Sequence, residues 1–507
     1  MTTPSEVAVP VADASVADKR LHALSWLFVL IQQLKSFAFP LLVLLFTGRG
    51  NTWELWGLLG VALLALYSIA QYFTYRYGFD NEGLVIRSGL LQRTVRHVPY
   101  ARIHNVGLQQ SLLHRLFGVA EVRLESAGGS SAEGQMRVLS LHAAHALEQR
   151  IRAGATREPQ QTEAPAAEPL LALDTGEVIR LGLSSNRGMI VVAAAFGALF
   201  SIGDGFVDDV ASALRIDELL ALLPGWDEIA VYGWPALLLS ALLLFGLAML
   251  GLRLLSVLLA LLQYHGFRLD EQQGRLAAER GLLGRLRQSL PVRRIQAWTV
   301  HESLAHRWLR RQGLRVDSIA ADDGQGQSSL RLLLPVATPA RIAELIPRWL
   351  PRCSWPLQAW QPLHPRAWRR QFMPAALLVV VACLPLGWRF GLAGLWVLAL
   401  LPLLWVRARI WARHAGWCEE DGLIAVREGW LDRHWRFAEV RKLQALELQQ
   451  SPFDRRHGMA TLRLDTAGAS PFEPQLRLRY LPEVEARALY ERLAAAMDAA
   501  TRARIAA

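Results

Sequence analysis

One stretch of this chain occurs three times without a gap. Residues 89 to 125 read GLLQRTVRHVPYARIHNVGLQQSLLHRLFGVAEVRLE, residues 281 to 317 read GLLGRLRQSLPVRRIQAWTVHESLAHRWLRRQGLRVD, and residues 429 to 465 read GWLDRHWRFAEVRKLQALELQQSPFDRRHGMATLRLD. Gly89, Gly281 and Gly429 open the copies, and Ser111, Ser303 and Ser451 share one position. Glu125, Asp317 and Asp465 share another. Four further positions are basic in every copy: Arg93, Arg285 and Arg433; Arg102, Arg294 and Lys442; Arg115, Arg307 and Arg455; Arg123, Arg315 and Arg463. So long an agreement marks one structural unit used three times.

Within a copy the periodicity is first strand-like, then helical. Leu84-Val85-Ile86-Arg87 before Gly89 reads as one arm of a hairpin, and Arg93 to Val98 alternates branched with basic residues. Val122 to Glu125, Leu314 to Asp317 and Leu462 to Asp465 alternate faces in the same way. Ser111 to Phe117 reads as a helical turn opened by a capping serine. Each copy closes with a helix, about Ala143 to Ala153, Pro339 to Trp349 and Pro482 to Met497. Short strands closed by one helix predict a small antiparallel β-barrel capped by that helix.

Six apolar stretches approach the roughly 20 residues needed to cross a bilayer, and they come in pairs. These are Trp26 to Gly48 with Trp53 to Tyr75, Gly188 to Phe206 with Tyr232 to Tyr264, and Phe372 to Trp388 with Gly391 to Ile410. A 507-residue chain that is 52% hydrophobic and still 20% charged fits such a mixture of spans and soluble domains. The loop between Ser201 and Ala230 holds Asp204, Asp208, Asp209, Asp217, Glu218, Asp227 and Glu228 against Arg215. Basic residues crowd the other span ends. By the positive-inside rule this loop is external, and both termini and the soluble segments are cytoplasmic.

The Gly-Leu-Leu hairpin, the stretch Val-Pro-Tyr-Ala-Arg-Ile-His-Asn-Val (98 to 106) and Gln-Ser-Leu-Leu-His-Arg-Leu-Phe-Gly (110 to 118) complete the pattern. With these motifs the chain resembles the bacterial pleckstrin-homology-like membrane-flanked family, in its longer, three-domain YdbT-like architecture. The second copy departs from the pattern with Arg310 where the others have Gly118 and Gly458, and the third has Glu439 where the others have proline. The resemblance implies a multi-pass protein of the bacterial cytoplasmic (inner) membrane, mixed α and β. Its six transmembrane helices would form three hairpins, each followed by a small PH-like barrel with a C-terminal helix. The expected layout is a tail (1–20), hairpin 1 (21–75), PH-like domain 1 (76–154), a linker (155–180), and hairpin 2 (181–264) with its acidic external loop (207–230). PH-like domain 2 (265–350), hairpin 3 (351–410) and PH-like domain 3 (411–500) follow.

The residues carry no catalytic signature: no phosphate-binding loop, nucleophile elbow or dinucleotide fingerprint is present. His301-Glu302-Ser303-Leu304-Ala305-His306 has HExxxH rather than HExxH spacing, which on one helix separates the imidazoles by about 140°. Cys353, Cys383 and Cys418 lie far apart, so neither a disulfide framework nor a metal site is expected. No enzyme activity, cofactor or nucleic-acid partner is expected. The expected partners are the bilayer, its anionic head groups, a membrane protein or a second copy, in a scaffold serving envelope maintenance or defence. The twelve basic positions are the candidate contacts; the alternative is that they are solvated strand faces and topology signals. Rival readings are a transport or channel component and a membrane-embedded enzyme.

Overall fold

The computed structural model of the protein describes residues 19–20, 25–36, 53–80, 83–89, 93–100, 103–126, 134–144, 146–147, 169–202, 226–272, 274–318, 332–467 and 475–506. Arg102, the polar corner at 48–52, residues 155–168 of the expected linker and residues 207–225 of the expected acidic loop lie outside them.

Copy 1 begins before its hairpin. Strand β1 (Lys19–Arg20) precedes helices α1 (Ser25–Ser36) and α2 (Trp53–Thr74), and β2 (Arg76–Phe79) follows them. The two strands are nonetheless neighbours, with Lys19 opposite Tyr77. Strands β3 (Gly83–Ser88) and β4 (Thr94–Pro99) complete this first sheet; a second sheet holds β5 (Ile103–Gln110), β6 (Val119–Ser126) and β7 (Gly134–Ser140), with helix α3 (Leu112–Leu116) between β5 and β6. Tyr77, Leu84, Ile86 and Val98 of the first sheet share a core with Leu108, Ala120, Val122 and Leu139 of the second. Ala144 and Leu147, in the helical turns after β7, close its end.

Copy 2 repeats the order. Strand β8 (Leu171–Ala172) precedes helices α4 (Thr175–Ser184), α5 (Arg187–Ile202) and α6 (Trp226–Tyr264), and β9 (Arg268–Gln272) follows. Leu171 lies opposite Leu269. Then come β10 (Arg275–Arg280), β11 (Arg285–Pro291), β12 (Ile295–Glu302), α7 (Leu304–Trp308), β13 (Gln312–Ser318), β14 (Leu332–Ala337) and α8 (Pro339–Trp349).

Copy 3 has β15 (Gln361–Pro362), α9 (Ala367–Phe390), a 3-10 segment (Gly391–Ala399) and α10 (Leu400–His414) before β16 (Gly416–Glu420). Gln361 lies opposite Trp417. Strands β17 (Leu423–Glu428), β18 (Arg433–Glu439) and β19 (Leu443–Gln449), helix α11 (Pro452–Arg456), strands β20 (Met459–Thr466) and β21 (Arg477–Pro482) and helix α12 (Glu483–Ala506) complete it. In β20, Leu462 and Leu464 point into the core while Arg463 and Asp465 point away, as the two-residue period of a strand requires. Leu489 and Leu493 of α12 close this core.

The chain divides into two compact units, and the division falls inside copy 2. One unit holds copy 1 with most of the first sheet of copy 2; the other holds the second sheet of copy 2 with copy 3. The ladders explain it. The sequence predicts a barrel within each copy, but the described ladders join neighbouring copies: β5 bonds to β11, and β12 to β18. Each of these joins lies within one unit.

Among the described residues, Leu238–Tyr264 and Ala367–His414 are long and apolar enough to cross a membrane. Their large side chains, such as Leu238, Leu242, Leu377 and Leu384, are exposed, as lipid-facing residues would be. Helix α6 runs 39 residues, about 58 Å at 1.5 Å per residue, so it outruns the hydrocarbon layer. Its C-terminal part receives α4, which the sequence reading placed partly in a linker. Asp174 caps α4 by accepting from the Glu177 N–H at 2.9 Å, and Val178 and Leu181 are buried. Arg253 donates to the carbonyls of Leu183 and Ser185 at 3.1 Å and so satisfies the end of that helix.

Candidate functional site

The basic positions of the repeat do not converge on one surface. They separate by what they touch, and most of the described contacts lie at two seams where one copy's second sheet meets the next copy's first sheet.

At the first seam Gln110, Gln109 and Leu108 of β5 face Arg285, Leu286 and Arg287 of β11. Ser111 caps α3, accepting from the His114 N–H at 3.4 Å, and so fixes where α3 begins. From that turn Arg115 donates to the carbonyl of Leu282 at 2.9 Å, in the Gly-Leu-Leu hairpin of copy 2. The hairpin needs its glycine: Gly281 has φ 117, and a Cβ there would lie 1.8 Å from the Gly284 carbonyl oxygen.

The second seam repeats this geometry and adds to it. Trp298, Thr299, Val300, His301 and Glu302 of β12 face Phe437, Arg436, Trp435, His434 and Arg433 of β18. Ser303 caps α7, and Arg307 donates to the carbonyls of Leu431 at 2.8 Å and Trp430 at 3.3 Å. Lys442 donates to the Ile295 carbonyl at 2.7 Å and pairs with Glu439 at 2.8 Å. Arg436, 2% exposed, donates to the Thr299 hydroxyl at 3.0 Å and forms an ion pair with Asp317, 4% exposed. Burying two charges costs desolvation that their mutual attraction must offset, and losing either partner would leave the other buried and unpaired.

Three histidines line it. His301 sits on β12 and His306 on α7, so the HExxxH segment is split between a strand and a helix, not carried on one helix; their rings are 5.3 Å apart. Burial, with Arg315 nearby, pushes His301 down to about 3, and burial, with Arg479 and Arg436, pushes His434 down to about 4. Beside the seam a cavity of about 610 Å³ is lined by Arg293, Trp298, Trp349, Glu439, Arg441 and Lys442, among others. Trp298 and Trp349 stack there at 5.5 Å.

Those remaining candidates whose side chains are described face outward or support their own copy. Arg93 is exposed, and Arg285 lies 3.9 Å from Glu279. Arg294 is half-buried beside Arg293 and Arg275, and burial first, then those charges, lowers its pKa. Arg123 and Arg315 sit on β6 and β13 opposite Gly107 and Thr299. Arg463 pairs with Glu447 across the ladder at 3.2 Å. Arg455 is exposed, with no side-chain partner among the described residues. The sequence reading passed over Arg436, because requiring a basic residue in all three copies rejects a position where copy 2 has Gln288. Asp317 was visible as a repeated acid, but its partner was not.

Paired four- and three-stranded halves, a closing helix and long apolar helical hairpins define a membrane protein built of repeated PH-like units. The chain belongs to the bacterial PH domain family, whose model matches residues 28–155, 218–348 and 375–497. It is similar to the UPF0699 transmembrane protein YdbT of Bacillus subtilis (strain 168), with 19% identity over 481 residues, covering 92% of this chain and 96% of that one. No solved structure matches.

Proposed function

We propose that this protein is a non-enzymatic, multi-pass scaffold of the bacterial cytoplasmic membrane, holding three joined PH-like units beneath the bilayer. The observation that carries the reading is the use of the repeated basic residues: Arg115 and Arg307 fasten one copy to the next rather than gathering around a reaction centre. Topology supports it. Each first sheet pairs a strand before the hairpin with one after it, β1 with β2, β8 with β9 and β15 with β16. A hairpin that starts and ends on neighbouring strands returns to the side it left, in accord with the positive-inside bias.

Single cysteines at Leu116, Trp308 and Val484, exposed positions in copies 1, 2 and 3, test the arrangement. With an impermeant maleimide, all three label in inside-out vesicles and none in right-side-out vesicles. Labelling of any one from the outside overturns the topology. A second reading, anionic head-group binding, is favoured by the cavity with Arg293, Arg441 and its tryptophan pair. Its test is salt-sensitive retention of anionic lipid by the purified full chain, lost in Arg293→Glu with Arg441→Glu.

A further inference from the structure

The two seams use one join twice, and the chain ends with both halves of a third. Strand β4 of copy 1 is the counterpart of β11 and β18, the strands that receive a partner. Strand β19 of copy 3 is the counterpart of β5 and β12, the strands that supply one. Among the described residues β4 and β19 are each the last strand of their sheet. We propose that β19 of one molecule pairs with β4 of a second copy of this chain, extending the internal join head to tail.

The register follows from the repeat. Both seams, carried along the alignment, give the same pairs: Gln450 opposite Arg93, Gln449 opposite Thr94 and Leu448 opposite Val95. The second seam adds Glu447 opposite Arg96 and Leu446 opposite His97. The charges match as well. The buried Arg436–Asp317 pair has its counterparts at the two ends, Arg96 on β4 and Asp465 beside β19, and both are exposed. Asp465 has no ion-pair partner among the described residues. Neither has the side chain of Arg455, whose counterparts Arg115 and Arg307 each grip the hairpin of the following copy.

The surfaces are those of strands awaiting a neighbour. The first six residues of β12 are buried, whereas only Leu443 of β19 is. In β4, Thr94 to His97 are exposed, including Val95 at 45%. An open edge of this kind is a pairing template. The join is heterologous, using different surfaces on the two partners, so repetition produces a closed ring or an open filament. It rests on the scaffold reading only in that both use the inter-copy seams.

The test uses the full chain in membranes. Two differently tagged single variants, Val95→Cys and Leu448→Cys, are co-expressed and oxidised. A disulfide dimer carrying both tags is expected, with none when both chains carry the same substitution. Leu108→Cys with Arg287→Cys, the corresponding pair inside one chain, serves as control. Its failure to close would remove the seam geometry itself. Closure of the control without a mixed dimer would overturn the second-copy proposal alone, as would oxidation of Val95→Cys onto a different protein. Charge exchange adds a readout that misfolding cannot mimic. Arg96→Asp in the Val95→Cys chain is expected to reduce the mixed dimer at least fivefold, and Asp465→Arg in the Leu448→Cys chain to restore it. Reduction without restoration would overturn the register.

Discussion

Strands β12 and β19 occupy the same place in two copies of one repeat, yet one is buried along most of its length and the other, past Leu443, is exposed or half-buried throughout. The difference is the presence of β18 against β12. A strand supplies backbone donors and acceptors along both edges, and a neighbour that pairs with them also lays its own side chains beside those of the strand on each face. The same acidic position shows the consequence: Asp317 is buried against Arg436, and Asp465 is exposed. Local sequence builds the strand, and the neighbouring copy makes it a core element.

The largest expected effect breaks the comparison at its centre. Asp317→Ala leaves Arg436 buried and unpaired and is expected to cost about 3–5 kcal/mol, while Asp465→Ala changes the unpaired chain by about 0.5 kcal/mol or less. Denaturant unfolding of the monomeric full chain in detergent measures both; equal losses would abolish the distinction between seam and free edge.

Acid reaches the same seam by another route. The unfolded chain protonates its histidines near the usual 6.5, whereas His301 and His434 stay neutral in the folded protein down to about 3 and about 4. Below pH 6.5 the unfolded state therefore binds more protons, and stability falls as the pH drops toward 4. His434 alone accounts for about 3 kcal/mol by pH 4. Unfolding of wild type and His434→Gln between pH 7.5 and 4 is expected to show a shallower slope in the variant. An unchanged slope would remove His434 from the effect.

Smaller differences come from the repeated arginine. Arg307→Ala removes two bonds to hairpin carbonyls and is expected to cost about 1–2 kcal/mol, against about 0.5 kcal/mol or less for Arg455→Ala in the monomer. Thermal unfolding of the two variants side by side sharpens the comparison. The smallest expected change is a gain. Arg310 keeps the left-handed conformation of Gly118 and Gly458, with φ 53, so Arg310→Gly is expected to stabilise the protein by about 1 kcal/mol. A destabilised variant would show that the arginine side chain contributes more than its backbone costs.

The sequence by itself determined what a short window of residues can encode. The glycines at 89, 281 and 429 announce hairpins because each takes positive φ, and the serines at 111, 303 and 451 announce helix starts because each accepts a backbone N–H in its first turn. The alternation in β20 and the length of the apolar runs were legible for the same reason: period and hydropathy are local properties. Two-residue strands such as β8 and β15 were not, since so short a segment has no period of its own and is a strand only because β9 or β16 lies beside it. The partnership of β5 with β11 and of β12 with β18 was likewise invisible. Every copy carries the same two edges, so the pattern alone does not tell whether a copy closes on itself or joins its neighbour. That choice rests on side chains from different copies meeting, Arg115 on a hairpin carbonyl and Arg436 on Asp317, and only the folded chain brings them together.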